Sequence, residues 1–173
     1  MPESLTFLKF MTFLIPIIAI FLLCFAGVMD LRFRIIPNRV SVFLIILFFS
    51  FYGLSARKID LPLHLLWGGI TFLFLLGLYA INRLGGGDVK LLASAALWCG
   101  PIAGPEFLLL TSLFGGVLAL VAIFPMSQAL WEWAKIRFNL SESLFLFPNQ
   151  YSVPYGLAIA VGASYGIWQA YVV

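Results

Sequence analysis

Of the seven acidic side chains in this sequence, two border apolar stretches where a carboxylate could do chemistry: Asp30 and Asp88. Asp88 follows three glycines in Leu84-Gly85-Gly86-Gly87-Asp88-Val89-Lys90. Glycine permits backbone conformations closed to other residues and lets a second chain come close. An acid beside such a turn can meet a peptide without side chains in the way. A glycine-rich turn before a helix also suits a phosphate, but the Walker pattern needs Lys-Ser/Thr after its last glycine, and the dinucleotide pattern needs spaced glycines after a strand. Neither is present. Two carboxylates that face each other cannot easily both ionise, so one keeps a proton that the other shares. Such a pair can activate a water molecule and protonate a leaving amine. Helix ends would separate the roles, with Asp88 at an N-terminus favoured as the anion and Asp30 near a C-terminus favoured as the acid. The structural alternative is plain: Asp30 pairing with Arg32 or Arg34, and Asp88 capping a helix.

The elements that must carry these acids are apolar. The 173-residue chain is 63% hydrophobic and 10% charged, against about 45–50% and about 25% in ordinary soluble domains. A soluble core of this size cannot hold that excess. A spanning helix needs roughly 20 apolar residues, and the gaps between charges predict an all-α polytopic membrane protein of six transmembrane helices. Their expected ranges are 6–29, 40–56, 62–82, 88–100, 106–125 and 153–172, all in one domain over 1–173. The fourth is short because Gly100-Pro101 would end it early. Pro37 and Asp60-Leu61-Pro62 both read as helix starts. The connection 126–152 is the only long one, and its Trp131–Phe138 segment alternates aromatic and charged residues as if lying in the headgroup layer.

Topology follows from the basic residues. Arg32, Arg34, Arg39, Arg83, Lys90, Lys135 and Arg137 fall on one side, and Lys9, Arg57 and Lys58 on the other. The positive-inside rule then puts both termini outside and both acids at the inner face. Asp60 and Glu106 fall on the outer side, and Glu132 and Glu142 in the inner connection. The net charge of +3 reports topology here, and no nucleic-acid partner is implied. The first apolar run is too long for a signal core and lacks a small-x-small cleavage site. Cys24 and Cys99 form no CxxC pair and read as packing residues, with no zinc. His64 reads as a packing or interfacial residue, and Lys90 as a topology anchor. Pro154-Tyr155-Gly156, on the same face as the acids, reads either as a simple helix start or as a backbone platform for an extended substrate.

Gly85-Gly86-Gly87-Asp88 fills the GxGD signature, and Val89-Lys90-Leu91-Leu92-Ala93 continues it. Together with Asp30 and its Arg34-Ile35-Ile36-Pro37-Asn38 tail, the chain resembles the type IV prepilin peptidases, and among them the short members that serve tight-adherence (Flp) pili. The resemblance implies an intramembrane aspartic endopeptidase of the bacterial inner membrane that removes prepilin or pseudopilin leaders at the cytoplasmic face. It implies Asp30 and Asp88 as the catalytic pair, Gly85 and Gly87 as signature glycines, and no cofactor. The larger members carry a cysteine-paired segment after the first helix, linked to methylation. Here that segment is only the turn from Asp30 to Arg39, which implies a peptidase without methyltransferase. Archaeal preflagellin peptidases share the two acids, so the substrate family stays open.

Two other classes fit paired acids in a small polytopic chain. One is a proton-coupled transporter, against which stand the acids' common face and the lack of an inverted repeat. The other is a non-catalytic pilus assembly factor, against which stands the retention of both acids. Nothing in the sequence sets an oligomeric state.

Overall fold

The computed structural model describes residues 3–55, 57, 59–123 and 153–172, and between the last two segments 129, 133, 136 and 137. Apart from those four residues, the expected connection 126–152 and its aromatic segment lie outside the described residues. The described elements are five helices: α1 (Glu3–Phe33), α2 (Asn38–Leu54), α3 (Leu61–Ala80), α4 (Gly86–Ile123) and α5 (Tyr155–Tyr171).

Local chemistry sets their starts. Pro37 holds an extended conformation (φ −65°, ψ 129°) as the cap of α2, as its locked ring dictates. Asp60 Oδ1 accepts from the Leu63 N–H at 3.2 Å to cap α3, satisfying one of the free donors at a helix N-terminus. The outward faces are apolar. Phe21 is 71% exposed and Phe74 67%, a surface that suits lipid better than water.

Among the described residues, three helices are long and apolar enough to cross a membrane, by length and composition, over Thr12–Phe33, Leu61–Ala80 and Gly86–Val121, the last of which bends back on itself at Gly100. This corrects the expectation of six spans. Helices α2 and α5 each run for 17 residues, about 26 Å at about 1.5 Å per residue, the lower bound for crossing a hydrocarbon core of about 30 Å. The expected fourth and fifth helices, 88–100 and 106–125, are two arms of α4 with no loop between them.

Those arms run in opposite directions. The hydroxyl of Tyr171, at the end of α5, donates to the Trp98 carbonyl at 2.8 Å, whereas Gly115 lies against the Tyr155 ring at the start of α5. The chain therefore folds back at Gly100, whose φ of 60° and ψ of −169° fall in a region open essentially to glycine. The His64 ring fills the space where a side chain at Gly100 would stand. Pro101 follows at once and has no N–H to continue the ladder.

Trp98, fully buried, ties α2, α4 and α5 together. Its indole donates to the Leu44 carbonyl at 2.8 Å, and its ring meets Phe48 edge-on at 5.6 Å and Tyr171 at 5.8 Å. These edge-to-face contacts add specificity to a large apolar burial. The cluster sits at the α5 C-terminal end and leaves the other end of the bundle to the acids.

Candidate active site

Asp30 lies in the last turn of α1 and is buried. The helix ends through Arg34, whose N–H donates to the Asp30 carbonyl at 3.0 Å and whose φ is 55°. A left-handed residue is a common helix stop, though arginine is an unusual choice for it. The Asp30 carboxylate turns inward, where Oδ2 accepts from the Gly156 N–H at 2.7 Å. A Cβ at Gly156 would stand 2.7 Å from the Asp30 Cβ, so only glycine fits. One turn back on α1, a Cβ at Gly27 would stand 3.0 Å from the Ala160 Cβ. Small residues on both helices let α1 and α5 approach closely enough for that hydrogen bond.

Asp88 lies in the first turn of α4 and is half-buried. The helix begins with the Val89 N–H donating to the Gly85 carbonyl at 3.1 Å, and the Gly85 backbone lies against the Asp88 carboxylate. None of the three glycines has positive φ, so the turn does not need their conformational freedom. It needs their lack of a side chain. A Cβ at Gly85 would stand 2.8 Å from Asp88 Oδ2, one at Gly86 3.4 Å from the Tyr79 ring, and one at Gly87 3.1 Å from the Ile36 Cβ.

Asp30 and Asp88 come from different helices, and Asp30 lies within electrostatic reach of Asp88. The Arg34 guanidinium is within electrostatic reach of Asp30. The helix-end argument for their roles no longer separates them, because Asp30 faces the start of α5 as Asp88 faces the start of α4. An arrangement of two carboxylates, each set against a glycine backbone, can bind a water between them and shuttle its protons.

Of the other sequence-derived candidates, Pro154 is fully buried as the cap of α5, and Tyr155 packs its ring on Gly115. The N–H of Gly156 is committed to Asp30. Lys90 bridges helices, its Nζ donating to Asn38 Oδ1 at 3.0 Å, which ties the first turn of α4 to that of α2. His64 lies at the far end, with Nδ1 2.8 Å from the Leu97 carbonyl and its ring stacked 5.5 Å from Phe48. Among the described residues, no group of three His, Cys, Asp or Glu side chains gathers as a metal site would.

Sequence reasoning missed Ile36 and Tyr79, which close around the glycines, and the cross-bundle partnership of Asp30 with Gly156. Each joins segments distant in the chain, and no local pattern marks such a contact. A family model described as the type IV leader peptidase family matches residues 5–120, a stretch that includes both acids and all three glycines. No curated protein and no solved structure matches the chain.

Proposed function

From a chain that belongs to the type IV leader peptidase family, and is thereby a protease, we propose an aspartic endopeptidase that cleaves the leader from type IV, Flp-like prepilins. Asp30 and Asp88 are its catalytic pair, at the cytoplasmic face of the bacterial inner membrane. One observation carries this reading. Two acids from separate apolar helices converge at one end of the bundle, Asp30 held by the Gly156 N–H and Asp88 set against Gly85.

In this reading one carboxylate takes a proton from a water held between the pair as that water attacks the scissile carbonyl. The other gives its proton to the substrate oxygen, and the exchange reverses as the amine leaves. Gly85, Gly86 and Gly87 keep side chains away from Asp88. Pro154, Tyr155 and Gly156 form the start of α5, which fixes Asp30. No step calls on a metal, a cofactor or a cysteine.

The test uses purified protein in detergent with a prepilin, following the shortened product. Asp30→Asn and Asp88→Asn keep shape but remove the proton chemistry, so each should abolish cleavage while the protein still inserts and unfolds like wild type. Substantial turnover by either variant would sink the assignment of the pair.

A further inference from the structure

At the end of the bundle opposite the acids lies a cavity of ≈ 640 Å³. Its wall is built from the start of α3, the chain just after the Gly100 reversal in α4, and the last turns of α5. Asp60 and His64 come from the first of these and Glu106 from the second, while Arg57 reaches the cavity from the connection between α2 and α3. Arg57 Nη1 donates to the Ala170 carbonyl at 3.2 Å, near the end of α5. Leu63, 45% exposed, and Ile102, 92% exposed, give the same wall an apolar rim.

Two observations mark the cavity as a place for a ligand that carries both charges. Its wall holds two carboxylates and a guanidinium, yet among the described residues these three form no ion pair with one another. Asp60 is engaged in capping α3 and Arg57 in binding the end of α5, so the opposite charges stay apart rather than closing on each other. The second observation is the His64 ring, whose Nδ1 lies 2.8 Å from the Leu97 carbonyl. A carbonyl only accepts, so Nδ1 holds a proton, and in the neutral ring Nε2 is left as an acceptor. His64, Asp60 and Glu106 thus bring three acceptors to one cavity. They are not gathered as metal ligands would be, and they suit an organic ammonium with several N–H donors.

We propose that this cavity is a lipid site for a phosphoethanolamine headgroup. The phosphate meets the Arg57 guanidinium, whose planar fork of donors suits it. The ammonium meets Glu106, Asp60 and His64 Nε2. The acyl chains leave over Leu63 and Ile102 toward the apolar outer faces of the helices. Helix ends of a membrane bundle lie at headgroup level, where polar and aromatic side chains meet the interface, and Tyr165 stands on this wall too. An anionic headgroup would match Arg57 but leave both carboxylates opposed to its charge. A trimethylammonium headgroup has no N–H to give to His64 or to the carboxylates. Bound there, the headgroup ties the start of α3 to the reversal in α4 and the end of α5. None of these residues belongs to the acid pair, so the site does not depend on the peptidase reading.

The test unfolds the purified protein thermally in detergent with phosphatidylethanolamine, phosphatidylcholine or phosphatidylglycerol of identical acyl chains added. Phosphatidylethanolamine should raise Tm by at least about 3 °C more than either of the others. Glu106→Gln and Arg57→Gln should each remove that preference, with each variant compared with itself across the three lipids so that its own change in stability cancels. Glu106 is exposed, so its amide leaves the packing intact. Asp60→Asn should weaken the preference, because asparagine still caps α3 and only the charge is lost. Native mass spectrometry should find phosphatidylethanolamine retained by wild type and lost from Glu106→Gln. Equal shifts from all three lipids, or a preference that survives in both Glu106→Gln and Arg57→Gln, would overturn the inference. Soluble glycerophosphoethanolamine completes the comparison: a shift as large as the lipid's would overturn a lipid as the occupant.

Discussion

The three glycines before Asp88 differ in what a methyl group would strike. At Gly85 the Cβ position is 2.8 Å from the Asp88 carboxylate itself, at Gly87 it is 3.1 Å from Ile36, and at Gly86 it is an ordinary 3.4 Å from Tyr79. Gly85→Ala should therefore displace the acid and lower kcat/KM by at least about tenfold, roughly 1.4 kcal/mol of transition-state stabilisation. Gly86→Ala should stay near wild type. Gly87→Ala should fall between them, and Ile36→Ala should restore part of its loss by vacating the contact. Measuring cleavage and thermal stability on the same four proteins separates this from a bland role, in which the glycines merely form a turn and all three variants behave alike. The motif pointed to Asp88 from sequence alone, and in the fold the glycines lie against the protein's own Asp88, Tyr79 and Ile36 side chains. What surrounds each glycine was not legible, because Tyr79 and Ile36 reach the motif from other segments and carry no mark in the sequence of doing so.

At the scale of elements, the start of α5 and the reversal in α4 place the acids. The reversal sends both arms of α4 along α5, so that Gly100 sits opposite the acid end and Gly115 returns to Tyr155 at the start of α5. Gly100→Ala should cost about 1–3 kcal/mol, since its backbone lies where L side chains are strained, and the new methyl would also meet the His64 ring. Gly77→Ala is the internal comparison. It lies within α3 with nothing within 4 Å of its Cβ, and alanine favours a helix interior by about 1 kcal/mol. Thermal unfolding in detergent should show a clear drop for Gly100→Ala and none for Gly77→Ala. A Gly100→Ala protein as stable as wild type would mean the chain can turn without that backbone. Pro37, Asp60 and Gly100-Pro101 were readable as starts and stops because caps and prolines act locally. That a single residue would suffice to reverse α4 was not readable, since hydropathy runs on through both arms and records no direction.

For the whole molecule, hydropathy identified the membrane class but overcounted the spans. It sums apolar residues and ignores the length of helix that caps leave, as at α2 and α5. Which side of the membrane holds the acids rests on the distribution of basic residues, seven against three, and this has a direct test. Ile81, 63% exposed, ends α3 beside the glycine turn at the acid end of the bundle. Ser55 caps the far end of α2. In a Cys24→Ser, Cys99→Ala background that still cleaves prepilin, Ile81→Cys and Ser55→Cys each introduce one thiol near a helix end without altering a charge. Positive-inside topology then requires a membrane-impermeant maleimide to label Ser55→Cys in intact spheroplasts and Ile81→Cys only in inverted vesicles. The two patterns must be opposite, because α3 crosses between the two positions. Labelling of Ile81→Cys from outside would move the acids to the outer face, where a leader still attached to a cytoplasmic precursor could not reach them. That result would overturn the proposed side of cleavage while leaving the family and the paired acids untouched.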